Sequence, residues 1–189
     1  MKADSQRLFI AVPIDDIWRK RLTEQCTLLQ LNIPFQKWTH PDDYHITLKF
    51  LGETSVNQVQ QIKKHLANIA KDTSPFVLKE NDWGTFGPQI APSILWAGVG
   101  GDLTSLNNLQ KKVDSMDEIG FPKENRIFHP HLTIARRYIG IAPMEISKYL
   151  PETAESIIHW SVSEIKIFQS HIHKKPMYEP IASFKLNSI

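Results

Sequence analysis

Two tripeptides in this chain carry residue types that can move protons and hold an anion: His45-Ile46-Thr47 and His131-Leu132-Thr133. Imidazole titrates near neutral pH, so two of them can divide the work of general base and general acid. Threonine hydroxyls can donate hydrogen bonds to phosphate oxygens that hold charge through a transition state. Two imidazoles and two hydroxyls on one groove would make a metal-free kit for phosphoryl chemistry. With 8 histidines in 189 residues, a single His-x-Thr carries little weight. Two copies, each in an alternating segment, weigh more. The bland reading of sheet-edge histidines beside β-forming threonines accounts for the composition but not for the matched placement.

The elements that must position these residues are legible from hydrophobic period. Tyr44 to Leu51 alternates up to Gly52, and His129 to Arg136 alternates likewise, so both tripeptides lie in predicted strands where residues i and i+2 share a face. His45 and Thr47 then point one way against Ile46, Leu48 and Phe50, and His131 and Thr133 point away from Leu132 and Ile134. Leu8 to Val12 reads as a buried strand, followed by a helix from about Asp16 to Leu31. Ser55 with Gln58 fits a capping box opening a helix with Val59, Ile62, Leu66 and Ile69 along one stripe. In the second half the order recurs: a strand at Ile94 to Val99, a helix from Leu103 to Ile119, and the second His-x-Thr strand. A short helix around Met144 to Leu150 follows, then strands at about Ile158 to Gln169 and Tyr178 to Leu186. Ile94 follows Leu8, and His131 follows His45, by the same 86 positions (94 − 8 and 131 − 45), which suggests an internal duplication.

The octapeptide His45-Ile46-Thr47-Leu48-Lys49-Phe50-Leu51-Gly52 and the heptapeptide Pro130-His131-Leu132-Thr133-Ile134-Ala135-Arg136 resemble the twin HxTx motifs of the two-histidine (2H) phosphoesterases. Within them the chain looks most like the RNA 2',3'-cyclic phosphodiesterases, formerly called the bacterial 2'-5' RNA ligase family. The similarity runs from Arg7-Leu8-Phe9-Ile10-Ala11-Val12 through Lys37-Trp38 to Phe168-Gln169-Ser170 and Tyr178, and so spans the whole chain as a single domain, residues 1–189. It implies an α+β fold that is bilobal, with two pseudo-symmetric antiparallel β-sheet lobes and outer helices around a central groove. It further implies His45 as proton donor to the leaving O3', His131 as the base that activates water, Thr47 and Thr133 as phosphate ligands, and a 2'-phosphomonoester product. Arg136 matches the basic residue closing the second motif. Strict alternation puts Arg136 on the face opposite Thr133, so it reaches the groove only if the strand bulges or ends there. Lys49 shares the periodic face of His45 and is the alternative basic groove residue. Spacing does not distinguish acid from base in a pseudo-symmetric pair.

Composition bounds the rest. The chain is 41% apolar and 22% charged, with 22 basic against 20 acidic residues and a net charge of +2, which argues against general duplex coating. One cysteine, Cys26, excludes a disulfide framework and suits a reducing compartment. No apolar run approaches a membrane span or a signal-peptide core, so a cytoplasmic protein is expected. With no coiled-coil pattern, a monomer is expected. The glycine segments at Gly84 to Gly87 and Gly98 to Gly101 lack the P-loop lysine and the dinucleotide pattern, and no cofactor is inferred. His129/His131 and His171/His173 have ligand-like spacing but no carboxylate or cysteine supplement, so no metal is assigned. Trp38 and Phe128, each near a motif strand, are candidates for stacking on bases. The expected partner is an RNA or oligonucleotide with a 2',3'-cyclic phosphate end. The rival readings are a non-catalytic RNA-end binding module, and the same site running 2'-5' ligation or hydrolysing a small cyclic nucleotide.

Overall fold

Among the described residues, alternating apolar positions give nine strands that pair antiparallel into one sheet, with three α-helices over its apolar face. The computed structural model describes residues 5–141, 143, 144, 146–149 and 156–187. In chain order the elements are β1 (Ser5–Pro13), α1 (Asp16–Asn32), β2 (Phe35–Trp38), β3 (His45–Ser55), α2 (Val56–Lys71), β4 (Phe76–Phe86), β5 (Ile94–Gly101), α3 (Leu103–Asp114), β6 (His131–Tyr138), β7 (His159–Val162), β8 (Glu164–Ser170) and β9 (Tyr178–Lys185). The strand order is β7-β4-β5-β6-β3-β1-β8-β9, with β2 paired to β6. The halves, β7-β4-β5-β6 with β2 added beside β6 and β3-β1-β8-β9, meet where β3 and β6 share the single register pair Ile46↔Leu132.

That pair obeys the repeat offset itself, since 132 − 46 is 86, so a pseudo-twofold axis runs between the two motif strands. The outer strands follow the offset less closely. Ala11 faces Thr47, but Trp96 faces Thr133, so β1 and β5 correspond at 96 − 11, or 85 positions, one fewer than the sequence register suggests. The halves are also interleaved. β4 crosses to pair with β5, and β8 and β9 return to pair beside β1. The predicted strand from Ile158 to Gln169 is in fact two strands at opposite ends of the sheet: β7 beside β4 and β8 beside β1. A single extended segment read from periodicity cannot reveal that Ser163 is where the chain switches ends.

The core forms for the reasons the pattern suggests. Leu8, Ile10 and Val12 of β1 enter the main core, while Phe9 and Ala11 face the other side. The Ser55 hydroxyl and the Gln58 side chain satisfy each other's backbone N–H groups at the start of α2, and Val59, Ile62, Leu66 and Ile69 are buried along it. The predicted helix from Leu103 to Ile119 is α3 up to Asp114, followed by a single 3₁₀ turn at Asp117–Ile119. The predicted helix around Met144 to Leu150 is a 3₁₀ turn at Ile146–Lys148; Leu150 lies outside the described residues. Helix α1 crosses to the second half, where Trp18 packs tilted against Trp160, ring centroids 4.4 Å apart, and Arg21 pairs with Glu80 at 2.6 Å. Cys26 is buried on α1 and accepts a hydrogen bond from the Tyr44 hydroxyl at 3.3 Å. Burial pushes its thiol up to about 11, which makes it a packing residue at neutral pH. No helix among the described residues is long and apolar enough to cross a membrane.

Candidate active site

The two motif histidines are held by the same local device. The Nδ1–H of His45 donates to the carbonyl of Asp43 at 2.7 Å, and that of His131 to the carbonyl of His129 at 2.7 Å. A carbonyl only accepts, so the proton of each neutral ring lies on Nδ1 and Nε2 is left as the reactive nitrogen. The Thr47 hydroxyl donates to Nε2 of His45 at 3.0 Å. The two motif strands meet antiparallel at Ile46↔Leu132, and Thr47 and His131 line the same cleft.

Aromatic walls fix both rings. His45 lies 4.7 Å from the Phe9 ring, with Tyr178 edge-on at 5.2 Å and Phe168 stacked at 6.0 Å. His131 meets the edge of Phe86 at 4.9 Å and lies 6.3 Å from Trp96. Trp96 can take its place only because residue 84 is glycine: a Cβ there would lie 2.2 Å from the indole. Burial pushes the His45 pKa down to about 4, against the opposing effect of the Asp43 carbonyl, and the charges of Arg136 and His131 lower it further. His131 is lowered as well, first by burial and then, against the His129 carbonyl, by the charges of His129 and Arg136.

Arg136 and Lys49 exchange the roles that alternation gives them. β3 carries a one-residue bulge at Leu48, because Ile10 pairs with Lys49 but Ala11 with Thr47. β6 carries the equivalent bulge at Ile134, because Leu95 pairs with Ala135 but Trp96 with Thr133. Each bulge resets the two-residue period, so positions 49 and 135 turn inward and positions 50 and 136 face the groove. Arg136 is therefore exposed, and its charge acts on both imidazoles. The next residue, Arg137, has φ 61, so the strand turns sharply just beyond it. Lys49 lines the cleft beside Phe50, but its ammonium is directed inward, contrary to the expectation from period. It is 3% exposed, its ammonium paired with the Asp114 carboxylate and donating to the carbonyls of Asp114 and Pro122. Phe50 takes the groove position instead, 62% exposed and 6.1 Å from Phe9.

Two clefts flank the histidines. One, of about 390 Å³, is lined by Thr47, Phe50, Phe86, Ile127, Phe128 and His131 among others. The other, of about 580 Å³, opens beside Tyr178 and Arg136 and includes Trp38. Phe128 and Trp38 thus line one cleft each, while Trp38 also packs edge-on against Phe35. Among the described residues no group of three His, Cys, Asp or Glu side chains could hold a metal ion. His171 pairs with Glu179 at 2.8 Å, and His129 packs against Phe86 and Trp96.

Sequence reading missed Phe50 and Phe86 as groove residues, and it missed Asp43. The Asp43 carboxylate is buried and accepts from the backbone N–H groups of Met177 at 2.8 Å and Tyr178 at 2.9 Å. Its carbonyl orients His45, so one residue joins the start of β9 to the imidazole. The available signal is that Asp43 and His129 stand two residues before the two histidines, again 86 apart (129 − 43). Asp43→Ala strands two N–H groups and is expected to destabilise by roughly 1–3 kcal/mol, read from thermal or urea unfolding. An unmoved midpoint would mean that the β8–β9 hairpin is anchored by other contacts.

Residues 17–96 match the family described as LigT like Phosphoesterase. An RNA 2',3'-cyclic phosphodiesterase of Geobacillus stearothermophilus is 36% identical over 179 residues, covering 94% of this chain but 56% of that protein's length. One of Bacillus subtilis is 33% identical over 156 residues, covering 82% of this chain and 83% of that protein. Escherichia coli LigT, in a crystal structure with 3'-AMP, superposes with a TM-score of 0.73 over 98% of this chain and 100% of LigT at 22% identity, a likeness of fold. The curled antiparallel sheet agrees with that fold, the Bacillus relative is similar across most of both chains, and this chain therefore belongs to the LigT-like phosphoesterase family of the 2H superfamily.

Proposed function

We propose that the protein hydrolyses RNA 2',3'-cyclic phosphate ends to 2'-phosphomonoesters by two-histidine acid/base catalysis without a metal ion. The observation that carries this reading is the pair of imidazoles, each held through Nδ1–H by a backbone carbonyl with Nε2 as the reactive nitrogen, on two strands that meet at Ile46↔Leu132. Relatives named as RNA 2',3'-cyclic phosphodiesterases and the E. coli LigT complex with 3'-AMP support the choice of substrate. In this reading water attacks phosphorus in line as His131 Nε2 takes its proton. The P–O3' bond breaks, and His45 Nε2–H gives its proton to O3'. Thr47 and Thr133 hold the non-bridging oxygens, whose charge persists through the transition state. Phe50, Phe86 and Phe128 offer faces on which the terminal base can stack.

The pH profile tests the pair. Turnover needs one proton shared between two imidazoles that are both harder to protonate than a free histidine. At pH 7 the free enzyme holds both rings neutral, and the reactive singly protonated form grows as pH falls. The kcat/KM profile is therefore expected to peak below about 6.5, the ordinary histidine value, and to decline above it. A second protonation, which leaves neither imidazole free to act as base, closes the acid limb. A bound phosphodiester anion favours imidazolium, so the kcat bell is expected at higher pH than the kcat/KM bell. Stopped assays from pH 4 to 9 in excess EDTA check all of this at once. A rate that climbs steadily to pH 9, or one abolished by EDTA and restored by zinc, would defeat the mechanism.

A further inference from the structure

The cleft beside His45 is built for an anion that a mononucleotide does not possess. Its lining includes Lys37, Trp38, Arg136, His173, Lys174 and Lys175. Lys37 of β2 stands directly opposite Arg136 of β6 in the strand register. Like charges directly opposite on one face repel, and among the described residues neither has a carboxylate partner. An anion lying between them turns that repulsion into attraction. Lys175 adds a third cation without a carboxylate partner among the described residues, while Lys174 shares Glu179 at 3.6 Å. The one acid in the lining, Asp43, has its carboxylate engaged by the N–H groups of Met177 and Tyr178. The chain as a whole carries a net charge of only +2, so this is a local concentration of charge and not a general basic surface.

The opposite cleft has a different chemistry. Its aromatic wall is Phe50, Phe86 and Phe128, and its Arg126 is paired with Glu124 at 3.1 Å. A terminal base suits that side. The cyclic phosphate occupies the centre, between the histidines, and a mononucleotide then has nothing left for the basic cleft.

We infer that the cleft of Lys37, Arg136 and Lys175 binds the internucleotide phosphate next to the cyclic end of a single-stranded polynucleotide, so that the protein selects oligonucleotides over cyclic mononucleotides. The inference rests on the reading above and deepens it by naming the substrate class.

The test compares kcat/KM for uridine 2',3'-cyclic phosphate and for a uridine trinucleotide ending in 2',3'-cyclic phosphate, using wild type and Lys37→Gln/Lys175→Gln at several salt concentrations. Both lysines are exposed, so the double variant is expected to fold normally. Wild type is expected to favour the trinucleotide by roughly 10-fold or more, with the preference falling as salt rises. The variant is expected to lose most of that preference while its mononucleotide kcat/KM stays within about twofold, since charge-assisted contacts to the second phosphate are all that it removes. Equal efficiency of wild type on the two substrates, or an undiminished preference in the variant, overturns this inference alone. Cleavage of neither substrate overturns the proposed activity and the inference with it.

Discussion

His131→Ala and His45→Ala are each expected to lower kcat/KM on an RNA ending in 2',3'-cyclic phosphate by about 10²–10⁴, the usual worth of one general acid or base. The double variant is expected to be little slower than the worse single one, because the groups act as a unit: without the base no proton enters the cycle, and without the acid the alkoxide cannot leave. The two variants differ structurally. His131 touches Phe86 at a ring edge and faces a cleft, so its loss leaves the sheet intact. His45 packs among Phe9, Phe168 and Tyr178, so His45→Ala opens a gap in the aromatic wall. His45→Gln is the fairer probe, since it keeps much of the volume while losing the titrating ring. Activity is read by phosphorus NMR, which distinguishes 2'-phosphate from the cyclic ester, and folding by circular dichroism. A folded His131→Ala or His45→Gln within tenfold of wild type would remove that residue from the chemistry.

Lys49→Ala is expected to cost about 3–5 kcal/mol of stability, the range for removing one partner of a buried ion pair. The Lys49 and Asp114 side chains are 2% and 12% exposed, and removal of the ammonium leaves the Asp114 carboxylate, among the described residues, with the Glu124 N–H alone. The same change strands the Pro122 carbonyl, which accepts from Lys49 at 2.9 Å. Lys49→Met with Asp114→Asn restores a neutral, space-filling pair and is expected to recover most of the loss. Urea unfolding of the three variants checks this. The kinetic consequence sets an anchor apart from a substrate ligand: folded Lys49→Met/Asp114→Asn should keep near-wild-type kcat/KM, whereas a groove lysine would lose both affinity and salt dependence. A stable Lys49→Ala with impaired substrate binding would return Lys49 to the groove.

Lys49 also marks the limit of what one sequence can disclose. Period two is a property of a regular ladder, and it placed His45 with Thr47 and His131 with Thr133 because those stretches are regular. Beyond Thr47 and Thr133 the ladder is broken by the bulges at Leu48 and Ile134, and the faces of Lys49, Phe50 and Arg136 were then set by a partner strand. The two bulges sit 86 positions apart, so symmetry was available as a clue, but Phe50 and Arg136 share no chemistry that would betray their equivalence. The capping box at Ser55 and the stripe of α2 were legible because both are local, governed by bonds within one or two turns. The pairing of β7 and β8 at opposite ends of the sheet was not, since their sequences are adjacent and equally extended.

By itself the sequence determined which side chains can do chemistry here, the local frame that presents each imidazole with its threonine, and the repeat that relates the two. Those follow from residue type and from backbone geometry over a few residues. Only the tertiary structure decided that Arg136 faces the groove while Lys49 is an anchor, and that Asp43 ties the start of β9 to His45. It alone gathered Lys37, Arg136 and Lys175 from three separate segments into one cleft. Each of these depends on strand register and on contacts between residues tens of positions apart, and long-range pairing is set by the free energy of the whole packed sheet, which no single segment encodes.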